Sequence, residues 1–221
     1  MYVLDPRFAK AHREGDIHIH DLDFYTLTTT CTQIDLITLF DGGFSTGHGV
    51  LREPNDIYSY SALCCIAIQA NQNDQHGGQS IVDFDYGMAP GVKKTFVKRY
   101  RTNLSRALEL LCGDEKADDT AASLMAQAEA AGAVPTLEED EAHRGTLKGL
   151  LTASMDEATA DRVLDFAQRK AAQETDKATY QAMEALIHNL NTMNSRAGAQ
   201  VPFSSINYGT DTTPEGRMVM R

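Results

Sequence analysis

The alternation of apolar and polar residues near the start of the chain predicts a β-strand. Residues 15–20 read Gly-Asp-Ile-His-Ile-His, which places Ile17 and Ile19 on one face and His18 and His20 on the other. A single strand histidine commonly bonds a backbone carbonyl, but two on the same face favour a functional pocket.

Helical periodicity dominates the rest of the chain. Asp5 and Gly15 are the expected cap and stop of a first helix over 5–14, with Pro6 in its first turn. Three further helices are predicted: an apolar one over 59–72, one that begins near Pro90, and an amphipathic one over 177–196.

The composition changes to Ala, Glu, Asp and Lys over residues 113–176. Capping boxes that begin at Thr136 and Ser154 predict helix starts within this stretch. We interpret it as a solvated helical insertion, so that the chain divides into 1–112, 113–176 and 177–221. A second strand is predicted over 201–208, which makes the expected fold α/β and predominantly helical.

Glycine-rich stretches predict turns and a possible anion site. Four glycines in residues 42–49 indicate a loop. The run Gly77-Gly78-Gln79-Ser80 is either a turn between helices or a cradle whose backbone N–H groups hold phosphate or ribose. The helix near Pro90 carries five cations that form either a solvated face or an anion site, namely Lys93, Lys94, Lys98, Arg99 and Arg101.

Composition and charge narrow the function classes. The 221 residues are 42% hydrophobic and 23% charged, which is typical of a soluble protein with a real core. A formal charge of −11 argues against nucleic acid as the main partner. Neither a signal peptide nor an apolar run long enough for a membrane span is recognisable, so we expect a cytoplasmic protein.

The four cysteines favour a reduced protein, because they show no Cys-x-x-Cys spacing. Cys64 and Cys65 lie in the apolar helix and Cys112 lies among leucines, so all three are predicted to be buried. Cys31 follows a run of threonines, and this polar setting suits a working thiol.

These residues leave more than one function open. A His-x-His pair on a strand is also a zinc-binding arrangement, so His18 and His20 could serve a metal-dependent hydrolase. A non-catalytic nucleotide-binding module is a third possibility.

Four motifs together resemble the anaerobic (class III) ribonucleoside-triphosphate reductases, and they occur at 15–23, 42–47, 71–80 and 191–203. The resemblance implies a fragment of the ten-stranded α/β barrel of glycyl-radical enzymes, which reduce ribonucleoside triphosphates to deoxyribonucleotides. Cys31 matches the cysteine that takes part in loss of the 2′-hydroxyl, and His18 would face the same cavity. The resemblance also implies substrate contacts at His20, Gly77, Gly78, Gln79, Ser80, Asn194 and Ser195.

The resemblance further implies a homodimer with a deoxynucleotide effector at its interface, where Lys98 is the candidate contact. The family's radical glycine, finger-loop cysteine, structural zinc cysteines and ATP-cone have no counterpart in these residues. We therefore expect an N-terminal portion of the barrel that is inactive alone and holds no metal or cofactor itself. The full enzyme would need formate, ATP or dNTP effectors and a radical-SAM activase.

Overall fold

The computed structural model describes residues 4–20, 22, 29–47, 49–194 and 201–221. The chain combines short strands with helices, four of which follow one another from α4 to α7, and the helices contain most of the residues, so the predicted α/β, predominantly helical class is confirmed. The elements are α1 (Pro6–Glu14), β1 (Thr29–Ile34), α2 (Leu36–Phe40), β2 (Phe44–Ser45), β3 (Val50–Leu51), α3 (Ile57–Asp74), β4 (Gln75–Ile81), α4 (Phe84–Cys112), α5 (Ala117–Ala130), α6 (Glu141–Leu151), α7 (Glu157–Thr192), β5 (Ser204–Ile206) and α8 (Pro214–Val219).

A small three-stranded parallel sheet packs against the helices through one of its faces. Its order is β1-β4-β5, with both neighbours of β4 parallel to it. Ile34, Ile81 and Ile206 are in register across the three strands and pack against the helices. One face of the sheet is therefore covered by the hydrophobic core.

Two long helices, α4 and α7, run through both hydrophobic cores of the molecule. One core joins the first half of α4 and the second half of α7 to α2, α3, β4 and α8. The other joins their remaining halves to α5 and α6. The predicted boundary at residue 176 falls inside α7, while the one at 112 coincides with the end of α4. No helix in the described ranges combines the length and apolar character needed to cross a bilayer.

Several predicted helices are confirmed, and their errors have identifiable causes. The predicted first helix is α1, with Asp5 as its cap and Gly15 at its end, and 59–72 lies within α3. The two predicted capping boxes are wrong: Asp140 and Asp156 cap α6 and α7 instead. The Thr136 hydroxyl donates to the carbonyl of Glu138, and that of Ser154 to Leu151.

The helix predicted from Pro90 begins six residues earlier, at Phe84. Proline lacks the N–H group that an interior helical position supplies and is therefore typical of a first turn, yet Pro90 lies inside α4. Similarly, the helix predicted over 177–196 corresponds to the second half of α7, which starts earlier, at Glu157, and ends at Thr192.

The strand predicted over residues 15–20 is wrong, because this segment is irregular. Its backbone N–H groups donate to acceptors on α1: those of Asp16 and Ile17 bond the carbonyl of Ala11 at 2.9 and 3.4 Å. The N–H of Ile19 donates to Nδ1 of His12 at 3.1 Å. The alternating pattern therefore belongs to a segment folded back on a helix end.

Candidate active site on the open face of the sheet

A cleft of about 460 Å³ lies on the sheet, at the point where β1, β4 and β5 run side by side. Among the described residues, its lining is uncharged and rich in hydroxyl and amide groups: Cys31, Thr32, Gln33, Gly78, Gln79, Ser80, Phe203, Ser204 and Ser205. Its volume falls within the range of about 300–1,000 Å³ that is typical of small-molecule sites.

A row of polar residues crosses this cleft. Gln33, Ser80 and Ser205 occupy the same register position on three neighbouring strands, so their side chains point to the same face. The next position along each strand is isoleucine and packs against the core. The polar row therefore lies on the face opposite the isoleucines, a face that the helices of the described ranges leave uncovered.

Cys31 is exposed at the edge of the cleft, and the strand pairing is irregular around it. Thr30 pairs with His76 but Thr32 pairs with Gln79, so Gly77 and Gly78 together lie opposite Cys31. A Cβ atom added to Gly77 would lie 3.3 Å from the Cys31 Sγ. The thiol therefore rests against the bare backbone of β4.

The predicted turn at residues 76–80 is wrong, because these residues form the central strand β4. The ladder uses backbone donors that a phosphate cradle would need; the Gln79 N–H, for example, bonds the carbonyl of Phe203 at 3.0 Å. Gly78, Gln79 and Ser80 nevertheless line the cleft, whereas Gly77 lies beneath the thiol.

The other cysteines differ from Cys31 in their surroundings. Cys64 and Cys65 are buried as predicted, and burial raises the pKa of both thiols. The prediction that Cys112 is buried is wrong: it is exposed on the last turn of α4, where Leu110 is 74% exposed. Partial burial and two carboxylates, those of Asp114 and Asp156, raise the pKa of the Cys112 thiol.

His18 and His20 lie outside the lining of the cleft. Both are exposed, with ring centroids 6.1 Å apart, and His12 of α1 lies 5.6 Å from His18. Within the described residues, no group of three or more His, Cys, Asp or Glu side chains could hold a metal ion. The metal-dependent hydrolase alternative required His18 and His20 on a strand, but residues 15–20 are irregular.

The remaining predicted site residues lie elsewhere. Lys98 is on α4, and its ammonium group lies 3.4 Å from a carboxylate oxygen of Asp56. Two of its basic neighbours also face carboxylates, since Lys94 pairs with Glu53 and Arg99 lies 4.0 Å from Glu174. Asn194 is exposed just after α7, and Ser195 lies outside the described residues.

The cleft offers a thiol that can give a proton or a hydrogen atom, beside side chains that can bond the hydroxyl groups of a sugar. Sequence reasoning did not single out Phe203, Ser204 and Ser205, although it predicted their strand. The missing signal was the parallel pairing of β4 with β5, which joins residues more than 120 positions apart.

Comparisons with known proteins point to one family, and the matches to its family model and to two relatives span all or nearly all of the chain. The family model described as anaerobic ribonucleoside-triphosphate reductase matches residues 1–221. The enzyme of that name from Enterobacteria phage T4 is 25% identical over 96% of this chain, and the one from Salmonella typhimurium is 23% identical over 99%. The Escherichia coli enzyme is 30% identical over 46% of the chain. This chain spans 26%, 23% and 15% of the lengths of these three relatives. The chain belongs to the anaerobic ribonucleoside-triphosphate reductase family.

Proposed function

We propose that this chain forms part of the catalytic barrel of a ribonucleoside-triphosphate reductase and that its cleft holds the sugar of the nucleotide. Cys31 is then the thiol that takes part in removal of the 2′-hydroxyl group. The observation that carries this proposal is the exposed Cys31 thiol at a break in the strand pairing, beside an uncharged cleft lined by hydroxyl and amide groups.

The shape of the sheet supports a role within a larger barrel. Parallel sheets are normally covered on both faces, but among the described residues only the isoleucine face is packed. Phe203, just before β5, and Tyr208, just after it, are 74% and 63% exposed. Further protein over the cleft would cover these rings and exclude water from the thiol.

The residues present fit part of the chemistry that the family implies. The family's radical would supply hydrogen-atom abstraction from the ribose, and the resemblance places that group outside these residues. Cys31 would donate a proton to the departing hydroxyl group, while Gln33, Ser80 and Ser205 would orient the sugar. Substrate, deoxynucleotide effector, activase and a second copy of the chain are proposed partners on the same basis.

Ribonucleoside triphosphates are expected to protect Cys31 from alkylation. Iodoacetamide is added to the chain with ATP, CTP, GTP or UTP, and the modification of each cysteine is followed by peptide mass spectrometry. At a nucleotide concentration of ten times Kd, we expect the Cys31 rate to fall about tenfold, because only free protein reacts. Cys112 provides the internal reference, since it lies at the far end of α4.

Two serine variants test whether the protection arises in the cleft. Ser80→Ala and Ser205→Ala remove hydroxyl groups of the polar row and are expected to weaken protection. Ser123→Ala removes an exposed hydroxyl from α5 and should leave it unchanged. Full accessibility of Cys31 at millimolar nucleotide would contradict the proposal. Protection by deoxynucleotides alone would instead favour a non-catalytic nucleotide-binding module.

The chain by itself is expected to form no deoxynucleotide. Under anaerobic conditions with formate and a radical-SAM activase, ribonucleoside triphosphates should remain unreduced, because the family's radical glycine and its partner cysteine have no counterpart in these residues. Chromatography of the nucleotides after incubation measures this directly. Deoxynucleotide in that sample, absent when the chain is omitted, would show that the proposed division of the active site is mistaken.

A further inference from the structure

We propose that Gln75, a residue outside the cleft, positions the Cys31 thiol by fixing the glycine pair on which it rests. The inference deepens the proposed function, since it concerns the thiol that we assign to the reaction. Gln75 is the first residue of β4 and is only 2% exposed. It is a positioning residue, because its side chain acts on Cys31 through the backbone.

The conformation around Cys31 needs support. Cys31 has a φ of +56° and Gly77, opposite it, has a φ of +105°. Left-handed backbone is unfavourable for residues other than glycine, because it brings the Cβ atom too close to the following carbonyl oxygen. Two β4 residues face one β1 residue here, and this two-to-one count is the arrangement of a β-bulge. Neighbouring groups must therefore hold the bulge in place.

The Gln75 side chain bonds both strands around the bulge. Its Nε2 donates to the carbonyls of Gly77 and Gly78 at 3.3 and 3.2 Å. Its Oε1 accepts from the hydroxyl of Thr32, the residue that follows Cys31 on β1. One buried amide thus connects the two glycines under the thiol with the strand that carries it.

The other buried glutamines nearby have different partners. Nε2 of Gln79 donates to the carbonyl of Ile68 at 2.8 Å and to Oε1 of Gln72 at 3.2 Å. These bonds connect β4 with α3, and their acceptors lie on α3 rather than on Gly77 or Gly78. Gln72, which is 1% exposed and lies on α3, is therefore a matched control for Gln75.

The test compares Gln75→Met with Gln72→Met in the chain without nucleotide. Gln75→Met removes both Nε2 bonds and the Oε1 acceptor. We expect it to speed alkylation of Cys31 more than about threefold relative to Cys112, since the loss of a single neutral hydrogen bond corresponds to a factor of about three to ten. The Cα and Cβ chemical shifts of Cys31 should move away from values typical of positive φ. Gln72→Met should lower the melting temperature while leaving both Cys31 readouts unchanged.

Thr32→Val is the second variant, because it removes the bond from the Thr32 hydroxyl to Oε1 of Gln75 and keeps the two bonds that Nε2 donates. It should change the Cys31 rate in the same direction by a smaller factor. Unchanged Cys31 shifts and rate in a folded Gln75→Met or Thr32→Val protein would overturn the inference, as would an equal change in Gln72→Met. None of these measurements uses nucleotide, so failure of the proposed function would be seen separately.

Discussion

Replacing Asp85 with alanine is expected to lower the free energy of unfolding by about 3 kcal/mol, since each buried donor left without an acceptor costs ~1–3 kcal/mol. Asp85 is fully buried near the start of α4. One of its carboxylate oxygens accepts from the N–H groups of Gly209, Thr210 and Asp211 at 2.9–3.0 Å. Urea unfolding followed by circular dichroism measures the loss.

The loss at Asp85 should extend to the cleft. The segment that follows β5 is attached to the start of α4 by these three bonds and by the Phe84 N–H, which donates to the carbonyl of Asn207 at 2.9 Å. Releasing this segment would loosen Ser204 and Ser205. We therefore expect Asp85→Ala to speed hydrogen exchange, relative to the parent chain, more in residues 204–211 than in α5 and α6.

Asp83→Asn is the control for the negative charge that Asp85→Ala removes at the start of α4. Asp83 lies two residues earlier, is exposed, and makes no side-chain capping bond. Its positive φ of 51° suits asparagine as well as aspartate. We therefore expect little change in stability from Asp83→Asn, and comparable losses in Asp83→Asn and Asp85→Ala would contradict the role given to the buried carboxylate.

Stability should also depend on pH through Asp85. Burial alone would raise the pKa of this carboxyl group, but four backbone N–H donors outweigh burial and hold the pKa below its ordinary value of about 3.9. The stabilisation is therefore complete above about pH 4 and is lost as the pH falls through the lower pKa of the folded state. Asp85→Asn should flatten this acid limb of the stability curve.

Asp85 also shows where sequence reasoning ends. Local signals predicted α1, α3 and the strand β5, because caps, glycine stops and periodicity are properties of neighbouring residues. The partners of Asp85 lie 124–126 residues further along the chain, and no local pattern connects them. The same limit applies to the cleft, for which the sequence singled out Cys31 and Ser80 but not Ser204 and Ser205.

The wrong predictions have a related cause. Residues 15–20 alternate as a strand does, yet a contact with His12 directs them onto α1. Gly77 and Gly78 read as a turn because glycine is costly inside a strand, yet here they make room for Cys31 and for Phe203, whose ring would lie 3.1 Å from a Cβ on Gly78. In each case a tertiary contact outweighed the local preference.

The second large effect concerns the close approach of α3 and α4. A Cβ atom added to Gly91 would lie 2.8 Å from two ring atoms of Tyr60, a distance at which something must shift. The Tyr60 ring is 4% exposed and packs edge-on against Phe40 at 5.2 Å between centroids, so it has little room to move. Since α3 also holds Gln79 of β4, a displacement here would reach the sheet.

Gly91→Ala and Gly145→Ala are therefore expected to change stability in opposite directions. Gly145 is exposed in α6 with nothing within 4 Å of an added Cβ, so alanine there should stabilise by up to about 1 kcal/mol through helix propensity. At Gly91 the same propensity gain is outweighed by overpacking, and we expect a net loss of about 1–3 kcal/mol. Urea midpoints of the two variants measure both signs, and a Gly91→Ala protein as stable as the parent chain would show that α3 and α4 can separate at little cost.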